Sequence, residues 1–506
     1  MPSDHNPLTR RVFLTRAAGL TLTLGSGGLI LPSLSRGARN PYAGGHWLAG
    51  DHHIHTKYSY DGQYEIEQQI ANAKRFGLSW CVITDHGGPT HDKVTLNLAY
   101  PELVAARKKH PEMLVFQGME WNIPAAEHGS VIMPPTADEA QRISDFEAHY
   151  DGKNISLGGP PHNKEEDAVA GVKYLQSLTP KPLFMANHPA RRGIDSPHEM
   201  RAWNDAAPDV AHGFEGAPGH AACTLVGKLR GEYDNSPTAD SFKGYPTESY
   251  RTWGGYDWYV AKVGGLWDSL LGEGRRWYIT ADSDSHRHYD DLREVDISTY
   301  ATKGYVTVKD GMADHPAEGD FYPGEYAKTW VFSPQRTHLA ILDSLRSGSM
   351  FTVLGGLVDR LELSARDSNR SALMGGTLAL EKRGEDVTVE IGLRIPNQPN
   401  GGGEVPKLHH VDLIAGDILG PASDRDALYN PTTKVVAQLR AAEGKRHGDM
   451  LVFSYTFPKV EKSFYVRVRG TNTDVDSPRL DAPTVNPWKD LWFYSNPIFI
   501  QVAGGR

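Results

Sequence analysis

Between residue 48 and about residue 300, short apolar runs alternate with amphipathic segments, the pattern of repeated β-α units. Glu65 to Phe76 places Ile66, Ile70 and Ala73 on one helical face, and Gly77 is a natural stop. The pattern then predicts a strand over Trp80 to Thr84, a helix over Pro101 to His110 with proline in its first turn, and a strand over Leu114 to Glu120. Val131 to Met133 and Leu183 to Asn187 read as further strands. Between them, residues 134–161 read as loop and short helix, and Glu165 to Leu178 as a helix. Trp277 to Ala281 is another strand, and Tyr322 to Val331 with the helical segment His338 to Ser347 completes a first region over 46–356.

From about Leu357 the period changes to two. Val387, Val389, Ile391, Leu393 and Ile395 alternate with polar or small residues, as do Val466 and Val468, and His409 to Ile414 and Ile498 to Val502 also read as strands. This predicts a small all-β, sandwich-like domain over 357–506, interrupted by the loop Pro396 to Gly403. Within the first region, 216–265 departs from the alternation and crowds Tyr245, Tyr250, Trp253, Tyr256, Trp258 and Tyr259 among glycine, proline and serine. Such an insertion either lines a substrate site with aromatic rings or packs against the core.

Composition narrows the reading. A chain of 506 residues, 39% apolar and 23% charged, can bury a large core and hold two or more domains. A net charge of -9 argues against nucleic acid as a partner and favours a small molecule. Two cysteines, Cys81 and Cys223, imply no disulfide framework. Residues 1–40 read as a twin-arginine export signal: Thr9-Arg10-Arg11-Val12-Phe13-Leu14 precedes an apolar run from Ala17 to Leu31, too short to serve as a stable membrane anchor. The expected location is therefore the periplasm or the cell exterior.

The candidate chemistry starts at Asp51-His52-His53-Ile54-His55-Thr56, with Asp61 six residues after His55. On an extended strand, His53 and His55 share a face and offer two imidazoles to one point. Other strand-like segments also deliver ligand-type residues at or near their ends: Asp85-His86, Glu120, His128, His188, and Asp282, Asp284 and His286. In a barrel of parallel strands, the carboxyl ends meet at one face, where active sites are built. Single positions of this kind are often caps or turns; the whole set points to a metal centre.

Together, His53-Ile54-His55-Thr56 with Asp61-Gly62, Thr84-Asp85-His86-Gly87, Gly118-Met119-Glu120, His128-Gly129, Asn187-His188-Pro189 and Asp284-Ser285-His286 resemble the polymerase-and-histidinol-phosphatase (PHP) family of metal-dependent hydrolases. The resemblance implies an α/β fold, a distorted seven-stranded β/α barrel, with two or three divalent ions (Mn, Zn or Fe) at its carboxyl-end face. It implies one ion held by His53, His55, Glu120 and Asp284, a second by the bridging Glu120 with His128 and His188, and a third by Asp61, His86 and His286. Asp61 stands where many members carry histidine, and its carboxylate tilts that site somewhat towards Mn or Fe.

The chemistry implied is hydrolysis of a small organic phosphodiester, with monoesters as further substrates, by a metal-bridging hydroxide. Arg191 is a candidate phosphate clamp, with Arg192 and Arg287 as further guanidiniums nearby. Asp282 and His288 are candidate proton donors beside a metal-bound water, and Asp51 and Asp85 are candidate orienters of ligand imidazoles. A barrel followed by a β-domain is also similar to exported carbaryl-hydrolase-like members. That keeps a carbamate or carboxylic-ester hydrolase open as the alternative, and a non-catalytic periplasmic binding protein as the reading outside enzymes.

Overall fold

The protein is described here from a computed structural model covering residues 42–158, 162–219, 237–312, 319–482 and 485–503. The expected export signal, His220 and Cys223 lie outside the described residues. Seven strands in chain order build the site-bearing part: β1 (His46–Asp51), β2 (Trp80–Ile83), β3 (Leu114–Asn122), β4 (His128–Met133), β5 (Leu183–Asn187), β6 (Ala211–Pro218) and β7 (Tyr278–Asp282). They are neighbours in that order. All run the same way except β4, which is antiparallel to both β3 and β5.

Helices fill most connections: α1 (Ile66–Arg75), α2 (Tyr100–Lys109) and α4 (Glu165–Ser177) fall on the segments the periodicity predicts, and α3 (Glu139–Tyr150) and α5 (Pro197–Ala206) join them. Helix α1 buries Ile66, Ile70 and Ala73. The segment read as loop and short helix contains the three-turn α3, whose Ala140, Ile143 and Phe146 are buried at helical spacing.

The sheet does not stop at β1. Strands β8 (Ala327–Ser333) and β9 (Met350–Leu354) add antiparallel beyond it, and the order continues through Trp492–Ser495, Phe464–Thr471, Ile498–Val502 and Thr377–Leu380. Strands after residue 357 therefore extend the same sheet, while Arg360–Arg366, Glu385–Arg394 and Met450–Val460 form the middle of a second, five-stranded one. Strands from this region thus share backbone hydrogen bonds with the first region.

The sheet rolls so that β7 returns beside β1 and β8, and no ladder among the described residues closes the seam. Side chains close it instead. Thr329 Oγ1 accepts from the Ala281 amide at 2.9 Å and donates to the Ala281 carbonyl at 2.8 Å. The Asn496 side chain accepts from the Ile279 amide and donates to the Ile279 and Met350 carbonyls. Past the strand ends, Ile54 bridges Ser285 in parallel. The fold is thus a mixed α/β rolled sheet with one reversed strand.

Most of the insertion's described aromatic residues point inward, with Phe242 and Trp253 partly buried. Tyr245, Tyr250, Tyr256, Trp258 and Tyr259 are buried, Tyr256 packs on Tyr494 at 4.3 Å, and Tyr245 on Tyr259 at 5.0 Å. These five rings are part of the hydrophobic core. Among the described residues, no helix is long and apolar enough to cross a membrane.

Candidate metal centre

The ligand-type residues converge where six strands end and one begins. Strand β1 stops at Asp51, and the chain continues extended, so that His53 and His55 still point to one side although both lie beyond the ladder. Glu120 sits inside β3. His128 is the first residue of β4, and the reversal of that strand brings its start to the same rim as its neighbours' ends. His188 follows β5 with φ 31°, and Asp284 follows β7 with φ 47°. Such left-handed backbone is costly for residues with a Cβ and is concentrated at functional sites.

Glu120, 1% exposed, is the hub. Its Oε1 lies 3.2 Å from His53 Nε2, 3.2 Å from His128 Nδ1 and 3.1 Å from His188 Nε2. Its Oε2 lies 2.8 Å from His86 Nδ1 and 3.4 Å from His55 Nε2. Asp284 Oδ1 is 3.1 Å from Nε2 of both His53 and His55. Asp61 Oδ2 is 3.2 Å from His86 and 3.5 Å from His286. Ligand atoms within 4.8 Å of one another group as His53 with His55 and Glu120, His53 with His188 and Asp284, His86 with Glu120 and His128, and His55 with Asp61, His86 and His286.

Proton accounting tests whether these residues fit metal ions. His53 Nδ1 is 2.5 Å from Glu215 Oε1, which assigns its proton there and leaves Nε2 as a bare lone pair. That lone pair faces His55 Nε2 at 2.9 Å, with two carboxylates beside it. Glu120 Oε2, Asp61 Oδ1, His86 Nδ1 and His128 Nδ1 are buried without an aligned hydrogen-bond partner. Buried acceptors facing one another are costly unless a cation lies between them. The donor set of imidazoles and carboxylates therefore fits metal ions.

Charge coupling points the same way. Burial opposes protonation of His86, yet Glu120 and Asp61 outweigh it and push the imidazole up to about 10. Burial likewise works against charged His286, but Asp61 and Asp284 raise it to about 9. Glu120 is held well below the usual carboxylate range: burial would raise it, but His128, His53 and His86 prevail. Without metal, protons supply the positive charge that the carboxylates demand.

A supporting shell holds the ligands, and sequence reasoning missed much of it. Glu215 on β6 binds His53 through Oε1 and accepts from the His188 amide at 2.7 Å through Oε2. The one local hint is that Gly213-Phe214-Glu215 parallels Gly118-Met119-Glu120, inside a strand whose apolar run is otherwise broken. Asp320 holds the backbone amide and Nδ1 of His286 at 2.7 and 3.3 Å. Asp85 accepts from Ser59 Oγ, which contacts His55 Nδ1 at 2.8 Å, so Asp85 acts on that imidazole through a serine. Asp51 orients backbone instead, accepting from the amides of His53 and Ser283.

The three expected catalytic residues fare differently. Asp282 is fully buried, 3.1 Å from His52 Nε2 and 3.9 Å from His53 Nδ1. His288 is buried and stacked on Tyr322 at 3.8 Å, with Nε2 on Glu325 and Nδ1 accepting from the Asp290 amide. Both ring nitrogens are therefore engaged by neighbouring groups. Arg191 stands at the rim, partly exposed and ion-paired to Glu127.

A rim of imidazoles and carboxylates clustered on a mixed α/β sheet forms a centre that could hold metal ions. Residues 51–174, which carry His53, His55, Asp61, His86, Glu120 and His128, match the PHP domain. The chain is 36% identical over 91 residues to a probable phosphatase of Caldicellulosiruptor saccharolyticus, a stretch covering 18% of this chain and 37% of that relative's length. Among solved structures, similarity extends to a two-domain protein from Bacteroides vulgatus containing a PHP-like metal-dependent phosphoesterase. Identity there is 15% and TM-score 0.33, over 91% of this chain and 96% of the other. It extends also to endonuclease Q in complex with a duplex carrying an abasic lesion, at 18% identity and TM-score 0.23, over 38% and 50% of the two chains.

Proposed function

We propose that this protein is a metal-dependent phosphoesterase acting on small organic phosphodiesters. The observation that carries the reading is Glu120, a buried carboxylate touched by five imidazoles within a matched PHP domain. His53, His55, Glu120 and Asp284 would hold one ion, Glu120, His128 and His188 a second, and Asp61, His86 and His286 a third. Divalent ions bound there supply Lewis acidity towards a phosphoryl oxygen and lower the pKa of water.

The chain's own residues do the remaining work. Glu215 keeps the proton of His53 on Nδ1 and so aims Nε2 into the centre. Ser59 steadies His55, and Asp320 steadies His286. Arg191, at the mouth, offers a guanidinium to a non-reacting phosphate oxygen. The reading includes export through the Arg10-Arg11 signal, checked by locating the protein with and without those arginines.

The test is the initial rate of bis(p-nitrophenyl) phosphate hydrolysis by protein reconstituted with Mn, beside its metal-stripped form and a His53→Ala variant. Metal-dependent release that His53→Ala abolishes is the expected outcome. Metal-loaded, folded protein that leaves the diester intact but cleaves a carbamate or carboxylic ester would replace this reading.

A further inference from the structure

Beside the ligand cluster lies an anion that the proposed reaction does not use. Glu127, 4% exposed, sits in the turn between β3 and β4, where its amide donates to Asp195 Oδ1 at 2.7 Å and its carbonyl accepts from the Ile123 amide at 3.1 Å. Its carboxylate is ion-paired through Oε1 to Arg191, and Arg192 Nη1 lies 3.7 Å from Oε2. A Glu127 oxygen is also within 4.8 Å of ligand nitrogens of His128 and His188. The arginines best placed to neutralise an anionic substrate therefore already face an internal carboxylate, and that carboxylate borders the ligand group.

We infer that Glu127 is a charge selector, setting the site for reacting groups that carry one negative charge or none and against dianionic phosphomonoesters. The inference rests on the phosphoesterase reading and deepens it. The fixed negative charge offsets the guanidinium of Arg191 and repels the second charge of a monoester. At a separation of about 6 Å and an effective dielectric of about 20, one unit charge changes binding by on the order of a hundredfold. Exposure and ions screen this, so roughly tenfold or more is the expected discrimination. A diester presents a single charge and escapes most of the penalty.

The experiment compares wild type with the near-isosteric Glu127→Gln, both reconstituted with Mn and assayed for metal content. One readout is the ratio of kcat/KM for p-nitrophenyl phosphate to that for bis(p-nitrophenyl) phosphate. The other is the binding of inorganic phosphate against dimethyl phosphate near pH 8, which needs no turnover. Glu127→Gln should raise the ratio about tenfold or more and tighten phosphate while leaving dimethyl phosphate nearly unchanged, with metal content as in wild type. Arg191→Met, which leaves Glu127 unopposed, should move both readouts the other way and serves if Glu127→Gln fails to fold. Unchanged ratios and phosphate affinity would overturn the inference, and so would loss of a bound ion from Glu127→Gln, which would make the residue a ligand. If wild type hydrolyses neither ester, the phosphoesterase reading fails, while the phosphate and dimethyl phosphate pair still decides the role of Glu127.

Discussion

At the scale of single residues, protons and metal ions compete for the same atoms. His86, raised to about 10, and His286, raised to about 9, bind protons more tightly in the folded, metal-free protein than the usual 6.5 of an unfolded chain. A raised folded pKa contributes stability that is fully present below about 6.5 and is lost as pH rises through about 9 to 10. Metal-stripped protein should therefore melt at progressively lower temperature between pH 6.5 and 10. Mn affinity should rise across the same interval, with proton release, because the ligands must be deprotonated to bind. A melting temperature for stripped protein that stays flat across that interval would contradict the charge balance described for the centre.

At the scale of elements, the site depends on how closely β6 approaches β7, because these strands bring Glu215 and Asp284 to the rim. Gly213 makes that approach possible: a Cβ there would lie 2.0 Å from the Tyr278 carbonyl oxygen, and backbone cannot yield as a flexible side chain can. Gly213→Ala should cost at least about 2 kcal/mol of stability by overpacking and weaken Mn binding as well. Denaturant midpoints and a metal titration check both. The elements were unevenly legible in sequence. Strands β2, β3, β5 and β7 announce themselves as apolar runs ending on His, Glu or Asp. Strand β6 does not, since His212, Gly213, Glu215 and Gly216 break its apolar run and only tertiary burial explains them. His128 was found, but the reversal of β4 that brings it to the rim is a matter of pairing, on which local pattern is silent. Nor could spacing show that Arg191 meets Glu127, or that His288 lies flat on Tyr322.

At the scale of the whole molecule, the change of pattern near residue 357 reads as a domain boundary, but the sheet crosses it. Arg467 is buried against Asp268, in the short helix that follows the insertion, with Nη2 2.7 Å and Nε 2.9 Å from its oxygens and its guanidinium over Trp267 at 4.6 Å. Breaking one side of a buried, hydrogen-bonded pair leaves an uncompensated charge, at a cost of about 3–5 kcal/mol. Arg467→Met should lower the denaturation midpoint by that equivalent, and both proteins should unfold in a single transition followed by tryptophan fluorescence and by circular dichroism. Separate transitions for the two regions would refute the continuity of the sheet.

The clamp formed by Asn496 carries a consequence in time. This residue holds Ile279 and Met350 together, and Ile279 lies three residues before Asp282 and five before Asp284 on the strand that leads into the centre. During synthesis, the first histidines leave the ribosome more than four hundred residues before the side chain that fastens their last partner strand. A centre assembled in this order reaches its final shape only after Asn496 has been made, so metal acquisition follows synthesis of the strands on both sides of the seam.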